Sequence, residues 1–275
     1  MFKIAYCAGH YLQTPGKRVP AALDGEQTRE WVLNDRVADA FARAAQDYDG
    51  VVLLRTDDPT GSTDISIRSR TDKANTWDAD LYIDMHHNAG IALGTGGGVE
   101  AFCNPGSEKG RKYRDAIYEA VIAAGGLKGN RAQPLQEKAF DSLRLTTMPA
   151  VLIEYGFMDS ATDWPVIRQL EYSRKVAEAT MAAVAKLAGL QKKTKDENEE
   201  VCEVELKVLK RGSRGDSVRA MQRLLIGEGI SCGPKGADGE FGGKTDAAVR
   251  AYQSKKGLTA DGACGAATWG KLLGV

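Results

Sequence analysis

The chain has 275 residues, 43% of them hydrophobic and 27% charged, with 37 basic and 37 acidic side chains that cancel. That length holds one medium domain and a small one, and the composition excludes a disordered or collagen-like chain. No apolar run reaches the roughly 18–20 residues of a membrane span, and no basic segment leads into an apolar one at the amino terminus as a secretory signal requires.

In chain order, Lys3–Cys7 reads as a first core strand. A helix follows over about Thr28–Gln46, where Leu33, Val37, Ala40, Phe41 and Ala44 recur at helical spacing. Val51–Arg55 and Leu81–His86 are further strands, with a helix over about Ile65–Trp77 between them. A strand at Val99–Cys103, a helix over about Ser107–Ala124, a strand at Ala150–Tyr155 and a helix over about Asp163–Ala188 complete the series. The strands are near-continuous in apolar residues, as in a sheet buried on both faces. This alternation predicts an α/β fold, a largely parallel sheet flanked by helices.

Residues 190–205 are densely charged with few large apolar groups, too few to offset the entropy of ordering, and read as a linker between 1–189 and 206–275. The last segment contains a near-repeat: Asp238-Gly-Glu-Phe-Gly-Gly-Lys-Thr245 is echoed by Asp261-Gly-Ala-Cys-Gly-Ala-Ala-Thr268. In each copy Asp-Gly makes a tight turn and Thr stands where it can cap a following helix. With an earlier helix marked by Val218, Met221, Leu224 and Leu225, this predicts a small all-α domain of three short helices. Segment 206–275 carries 12 basic and 6 acidic residues, whereas 1–189 carries 22 and 25. A basic module calls for an anionic partner; cell wall and nucleic acid both qualify on charge, but the segment lacks a nucleic-acid motif or interleaved aromatics. The five cysteines (Cys7, Cys103, Cys202, Cys232, Cys264) form no CxxC pair and read as reduced, mostly buried thiols; Cys232–Cys264 is the single pairing left open.

The chain has three histidines, His10, His86 and His87. His10 follows the first strand, the His86-His87 pair ends the third, and Glu154 ends the fifth. Functional groups of open α/β sheets gather outside the carboxyl ends of strands, so these form one candidate constellation. A carboxylate such as Glu154 in a core strand costs several kcal/mol unless a metal, a base or a cation such as Arg144 partners it. Adjacent His86 and His87 face opposite sides of a strand, so spacing alone leaves open which of them serves. Two imidazoles and a carboxylate on separate elements suit tetrahedral zinc with a fourth position open. There is no HExxH helix and no Gly-x-Ser-x-Gly elbow.

These residues resemble the zinc-dependent N-acetylmuramoyl-L-alanine amidases of phage endolysins and bacterial autolysins, the amidase type 3 family. The resemblance rests on Gly9-His10, Glu30-Trp-Val-Leu-Asn34, Arg70 through Asn75, Met85-His86-His-Asn88-Ala89 and Pro149-Ala-Val-Leu-Ile-Glu154-Tyr-Gly-Phe157. It implies that His10, Glu30 and His86 bind Zn²⁺ and that Glu154 is the catalytic carboxylate. Glu26 is the rival ligand to Glu30, and His87 occupies the family's variable place. Asn88, His87 and Arg144 are the candidate substrate contacts. The segment from Leu209 resembles a three-helix peptidoglycan-binding domain through Gly212, Gly215, Val218, Gln222, Asp238-Gly, Thr245, Tyr252-Gln253, Asp261-Gly and Thr268.

The implied reaction is hydrolysis of the amide between N-acetylmuramic acid and L-alanine, with peptidoglycan as partner and neither nucleic acid nor membrane insertion involved. The expected location is the cytoplasm first and the cell wall after release, as for a phage-type endolysin. The rival readings are a zinc peptidase cutting within the stem peptide and a non-catalytic wall-binding protein.

Overall fold

The computed structural model describes residues 1–193 and 207–273. The chain divides into two compact units, Met1–Lys195 and Asp196–Val275. The expected linker lies mostly outside the described residues. Its first residues belong with the first unit: Asp49 donates to the Gln191 carbonyl, Lys193 donates to that of Asp47, and Leu190 packs on the core.

The first unit is a six-stranded sheet in the order β2-β1-β3-β6-β4-β5. The strands are β1 (Phe2–Ala8), β2 (Val51–Arg55), β3 (Leu81–Asn88), β4 (Glu100–Cys103), β5 (Leu135–Glu137) and β6 (Ala150–Phe157). Four of them, β2, β1, β3 and β6, run parallel; β4 is antiparallel to β6, and β5 follows β4. The sheet is thus largely parallel as expected, with one reversed edge. Five strands fall where hydrophobic runs predicted them. The sixth, β5, is three residues of mixed polarity with no apolar run to betray it.

Helices α1 (Glu30–Ala45), α3 (Glu108–Ala123) and α6 (Leu170–Ala188) pack on one face of the sheet, around Phe41, Leu33, Ile117, Val176 and Val184. On the other face α2 (Ile67–Thr76) and the short α4 (Asp141–Arg144) cover Ala5, Cys7, Tyr82, Leu143 and Leu152. Burying a side chain of this size contributes about 1.5–3 kcal/mol, so both faces supply cohesion. Ser66 and Ser107 cap α2 and α3 by accepting backbone N–H bonds. The long helix expected over about 163–188 is broken: α5 (Trp164–Ile167) stops, and α6 starts after an extended Gln169.

Side-chain alternation sets which residues reach which face. On β3, Leu81, Ile83 and Met85 enter the α1/α6 core, whereas Tyr82 enters the α2/α4 side. By the same alternation His86 lies with Tyr82 and Asp84, and His87 with Met85.

The second unit has α7 (Asp216–Gly227), α8 (Gly243–Lys255) and α9 (Ala266–Leu273) around Val218, Met221, Val249, Tyr252 and Trp269. The near-repeat is a repeat of hydrogen bonds. Gln222 Nε2 donates to Asp238 Oδ1 (2.9 Å), the Glu240 carbonyl (3.1 Å) and Thr245 Oγ1 (3.1 Å), while its Oε1 accepts from Gly239 N (2.8 Å). Gln253 does the same to Asp261 Oδ1 (2.7 Å), the Ala263 carbonyl (2.9 Å) and Thr268 Oγ1 (3.0 Å), and accepts from Gly262 N (2.9 Å). Each buried glutamine ties a loop to the helix that follows it. Cys7, Cys103, Cys232 and Cys264 are buried free thiols, so the Cys232–Cys264 pairing left open is not formed; Cys202 lies outside the described residues.

Candidate active site

His10, Glu30 and His86 converge at the carboxyl ends of β1 and β3, their donor atoms within 4.8 Å of one another. Each arrives by a separate device. His10 follows β1 with φ of 68°, a conformation that costs a non-glycine residue roughly 1–2 kcal/mol. Arg70 on α2 holds that turn, donating to the Ala8 carbonyl at 2.9 Å and the His10 carbonyl at 2.8 Å. Gly9 is needed for closeness, since a methyl at that position would overlap the His86 ring. Glu30 opens α1, where the helix N-terminus favours a carboxylate. Asn34, one turn on, donates to the Gly9 carbonyl (3.1 Å) and Glu30 Oε1 (3.4 Å).

His86 is gripped from both sides. Its Nδ1 lies 2.9 Å from Glu30 Oε1, and its Nε2 lies 3.2 Å from Asp84 Oδ1. Asp84 in turn accepts from the Cys7 thiol at 3.0 Å. A carboxylate on the far nitrogen of an imidazole fixes ring orientation and raises its basicity. Burial opposes charge on Asp84, yet His86 holds its carboxyl well below the usual range. Burial likewise opposes an imidazolium at His86, but Asp84, Glu30 and Glu154 raise its pKa well above the ordinary value. Glu30 is held well below its own range against burial by His10 and His86. The cluster attracts positive charge. His10 Nε2 and Glu30 Oε2 are buried and make no hydrogen bond, only longer ion-pair contacts to Glu30 Oε1 (3.3 Å) and Lys17 Nζ (3.5 Å), which leaves their lone pairs for an ion. Two imidazoles and one carboxylate form the kind of donor set that holds a catalytic divalent metal.

Glu154 is the register partner of His86 on the adjacent strand, and its Oε2 is buried without a partner. Burial pushes its carboxyl up to about 8, partly offset by His86. Two clefts flank this pair. One, of about 320 Å³, is lined by Glu154, Asn88, Glu100, Arg131, Lys138 and Phe140 among others; the second, of about 260 Å³, includes His10, His86, Arg70 and Ser142.

The candidate substrate contacts separate. Asn88 lines the Glu154 cleft, its Nδ2 donating to Glu100 Oε2 at 2.8 Å. His87 is buried on the opposite face with Nδ1 2.8 Å from Asn34 Oδ1, and burial pulls its pKa down to about 3, so it stands as a neutral brace behind Glu30. Arg144 ion-pairs with Asp141 on the solvent-facing side of α4 at 2.9 Å and lines neither cleft. Glu26 is exposed in the loop before α1, outside the cluster. Asn75 braces the chain before β6, donating to the Leu145 carbonyl and accepting from Thr147 N. The cleft wall formed by Glu100, Arg131 and Lys138 was not read from the sequence. Glu100 carries the same signal as Glu154, a carboxylate within an apolar strand, here Val99-Glu-Ala-Phe-Cys103.

An α/β sheet that delivers a His/Glu/His cluster and an unpaired carboxylate to neighbouring strand ends defines a hydrolase-type site with room for a metal. The chain belongs to the N-acetylmuramoyl-L-alanine amidase family, whose model matches residues 4–186; a peptidoglycan binding domain matches 214–272. It is 29% identical over 195 residues to the N-acetylmuramoyl-L-alanine amidase CwlM of Bacillus licheniformis, covering 70% of this chain and 71% of the relative. It is 30% identical over 196 residues to the endolysin of Bacillus phage SPP1, covering 68% of this chain and 66% of that protein. The chain thus spans about two thirds of the length of these relatives. The crystal structure of an N-acetylmuramoyl-L-alanine amidase from Clostridium difficile 630 shares the fold, with a TM-score of 0.61 at 23% identity over 68% of this chain and 97% of that one.

Proposed function

We propose that the chain hydrolyses the amide joining N-acetylmuramic acid to the L-alanine of the peptidoglycan stem, with zinc held by His10, Glu30 and His86. The observation that carries this reading is the convergence of those three donors beside an unpaired carboxylate at neighbouring strand ends. When bound, zinc supplies Lewis-acid chemistry, polarising a carbonyl and lowering the pKa of water to about 7. Glu154 is the group that takes a proton from the attacking water and returns it to the departing alanine amine. A carboxyl near neutrality suits both halves of that transfer. Asp84 and Asn34 keep His86 and Glu30 oriented, and Arg70 keeps His10 in place.

Residues 1–189 carry this chemistry in the proposal, and 206–275 hold the wall. Two weak contacts on one chain raise the effective concentration at an insoluble substrate, which is the physical use of the pairing. Release from the cytoplasm before action on the wall is part of the proposal, supported by the likeness to a phage endolysin.

The test is Glu154→Gln in the zinc-loaded protein, assayed on purified walls for new L-alanine amino termini. Zinc content stays at the wild-type level and product release falls by at least about 100-fold. Full activity in that variant overturns the role of Glu154. Termini other than L-alanine from the wild-type enzyme make it a peptidase instead.

A further inference from the structure

The cleft beside Glu154 has a cationic wall that the hydrolytic step does not use. Arg131 and Lys138 flank a segment that leads into and out of β5, the strand two places from β6. Lys138 Nζ sits over the rings of Phe102 (5.1 Å) and Phe140 (5.8 Å), and among the described residues it has no carboxylate partner. The Arg131 guanidinium lies over Phe157 at 5.4 Å, its side chain 43% exposed, with Glu100 Oε1 3.5 Å from its Nε. That Glu100 oxygen already accepts from Gln136 Nε2 at 3.1 Å, and its second oxygen is taken by Asn88. Both cations are thus held against aromatic faces while keeping hydrogen-bond donors for another anion. The cleft continues past Glu100, Arg131 and Gln136 into a second hollow of about 380 Å³.

The cleft sets how far along a bound peptide this wall is met. Adjacent strands stand about 4.8 Å apart, so β4 and β5 lie roughly 5 and 10 Å from β6. Two extended residues span about 7 Å. Glu154, Arg131 and Lys138 line one cleft, so a peptide with its first residue at Glu154 places its second within reach of these long cationic side chains. In the peptidoglycan stem that residue is glutamate, whose α-carboxyl is free in some walls and amidated in others.

We infer that Arg131 and Lys138 form a carboxylate subsite that reads the free α-carboxyl of the stem's second residue, which makes the protein selective for unamidated stems. This rests on the amidase reading and adds a substrate class to it. A carboxylate receives charge-assisted bonds from both cations, whereas a neutral amide brings its own N–H donors against them. Lys138 places its ammonium as a point charge, and Arg131 offers the planar fork that matches a carboxylate.

The experiment compares N-acetylmuramoyl-L-alanyl-D-isoglutamate with its isoglutamine amide as substrates of the zinc-loaded full chain. In parallel, NMR titration of the same protein follows binding of the dipeptide products, L-alanyl-D-glutamate and L-alanyl-D-isoglutamine, which need no turnover. The wild type prefers the acid about tenfold in kcat/KM, chiefly through KM, and binds the acid dipeptide more tightly by a similar factor. Arg131→Gln with Lys138→Gln brings both ratios close to one, and Arg131→Lys retains part of the preference. Equal use of the two substrates by the wild type, or a preference that survives the double substitution, overturns the subsite. Acid-selective binding without release of an alanine amine keeps the subsite and overturns the amidase reading instead.

Discussion

Asp84→Asn isolates how far the proposed metal cluster depends on a residue outside its donor set. Asp84 is 5% exposed, lies 3.2 Å from His86 Nε2 and accepts from the Cys7 thiol. At 3.2 Å an effective dielectric near 20 gives about 5 kcal/mol for a full charge pair, an upper bound because asparagine still accepts a hydrogen bond in the same place. Loss of such a supporting carboxylate typically weakens metal binding by about 10–100-fold, or roughly 1.4–2.7 kcal/mol. The expected outcome lies in that narrower window. Zinc affinity is measured by competition with a chromophoric chelator, and activity is measured separately at saturating zinc. Asp84→Asn loses affinity by about 10–100-fold while most activity returns once the site is filled. An unchanged zinc Kd would refute the argument, because His86 would then be oriented by Glu30 and the strand alone.

Three further substitutions and conditions test other links. Gly9→Ala places a methyl on the His86 ring, so zinc binding is lost and the first unit is destabilised by about 1–3 kcal/mol; normal zinc content in that variant would show the β1 turn to be pliable. Gln222→Leu strands the Gly239 N–H and removes bonds to Asp238, Glu240 and Thr245, costing about 2–4 kcal/mol in the second unit by denaturant melting; a loss below about 0.5 kcal/mol would mean the repeat is decorative. Burial pushes the Cys264 thiol up to about 12. Between the ordinary thiol value near 9 and that point the unfolded chain gives up a proton the folded one retains, so the contribution is complete below pH 9 and fades as pH rises toward 12. Alkylation of native Cys264, located by peptide mass spectrometry, therefore stays slow at pH 9, and rapid labelling there contradicts the burial argument.

The strands could be read because both faces of the sheet are buried, which leaves continuous apolar runs such as Ala150-Val-Leu-Ile. The strand ends then located His10, His86-His87 and Glu154 without any knowledge of tertiary contacts. What periodicity could not supply was the direction of Glu30, which lies on a helix and reaches the cluster only because α1 begins beside the β1 turn. The choice between His86 and His87 needed the facing of β3, fixed when Met85 enters one core and Tyr82 the other. The wall of Arg131, Gln136 and Lys138 lies in a polar stretch where no hydrophobic pattern exists, and its three-residue strand is recruited by pairing with β4. Arg144 looked near Glu154 in the sequence, but α4 turns it toward Asp141.

The residues around the cluster explain why so much of the first unit is devoted to backbone control there. His10 sits in a left-handed conformation, Gly9 can carry no side chain, and Glu30 shares an oxygen between two imidazoles. Each is unfavourable alone. Arg70 offsets the first by bonding the carbonyls on either side of Gly9, and Asn34 ties Gly9 to Glu30 so that β1 and α1 cannot drift apart. His87 braces Asn34 from below without entering the cleft. The donors are therefore held by the fold's own hydrogen bonds, so little affinity need be spent on ordering them. The β3–β6 pairing likewise fixes Glu154 relative to His86, so the proposed proton-transfer group and the proposed metal donors share one rigid frame.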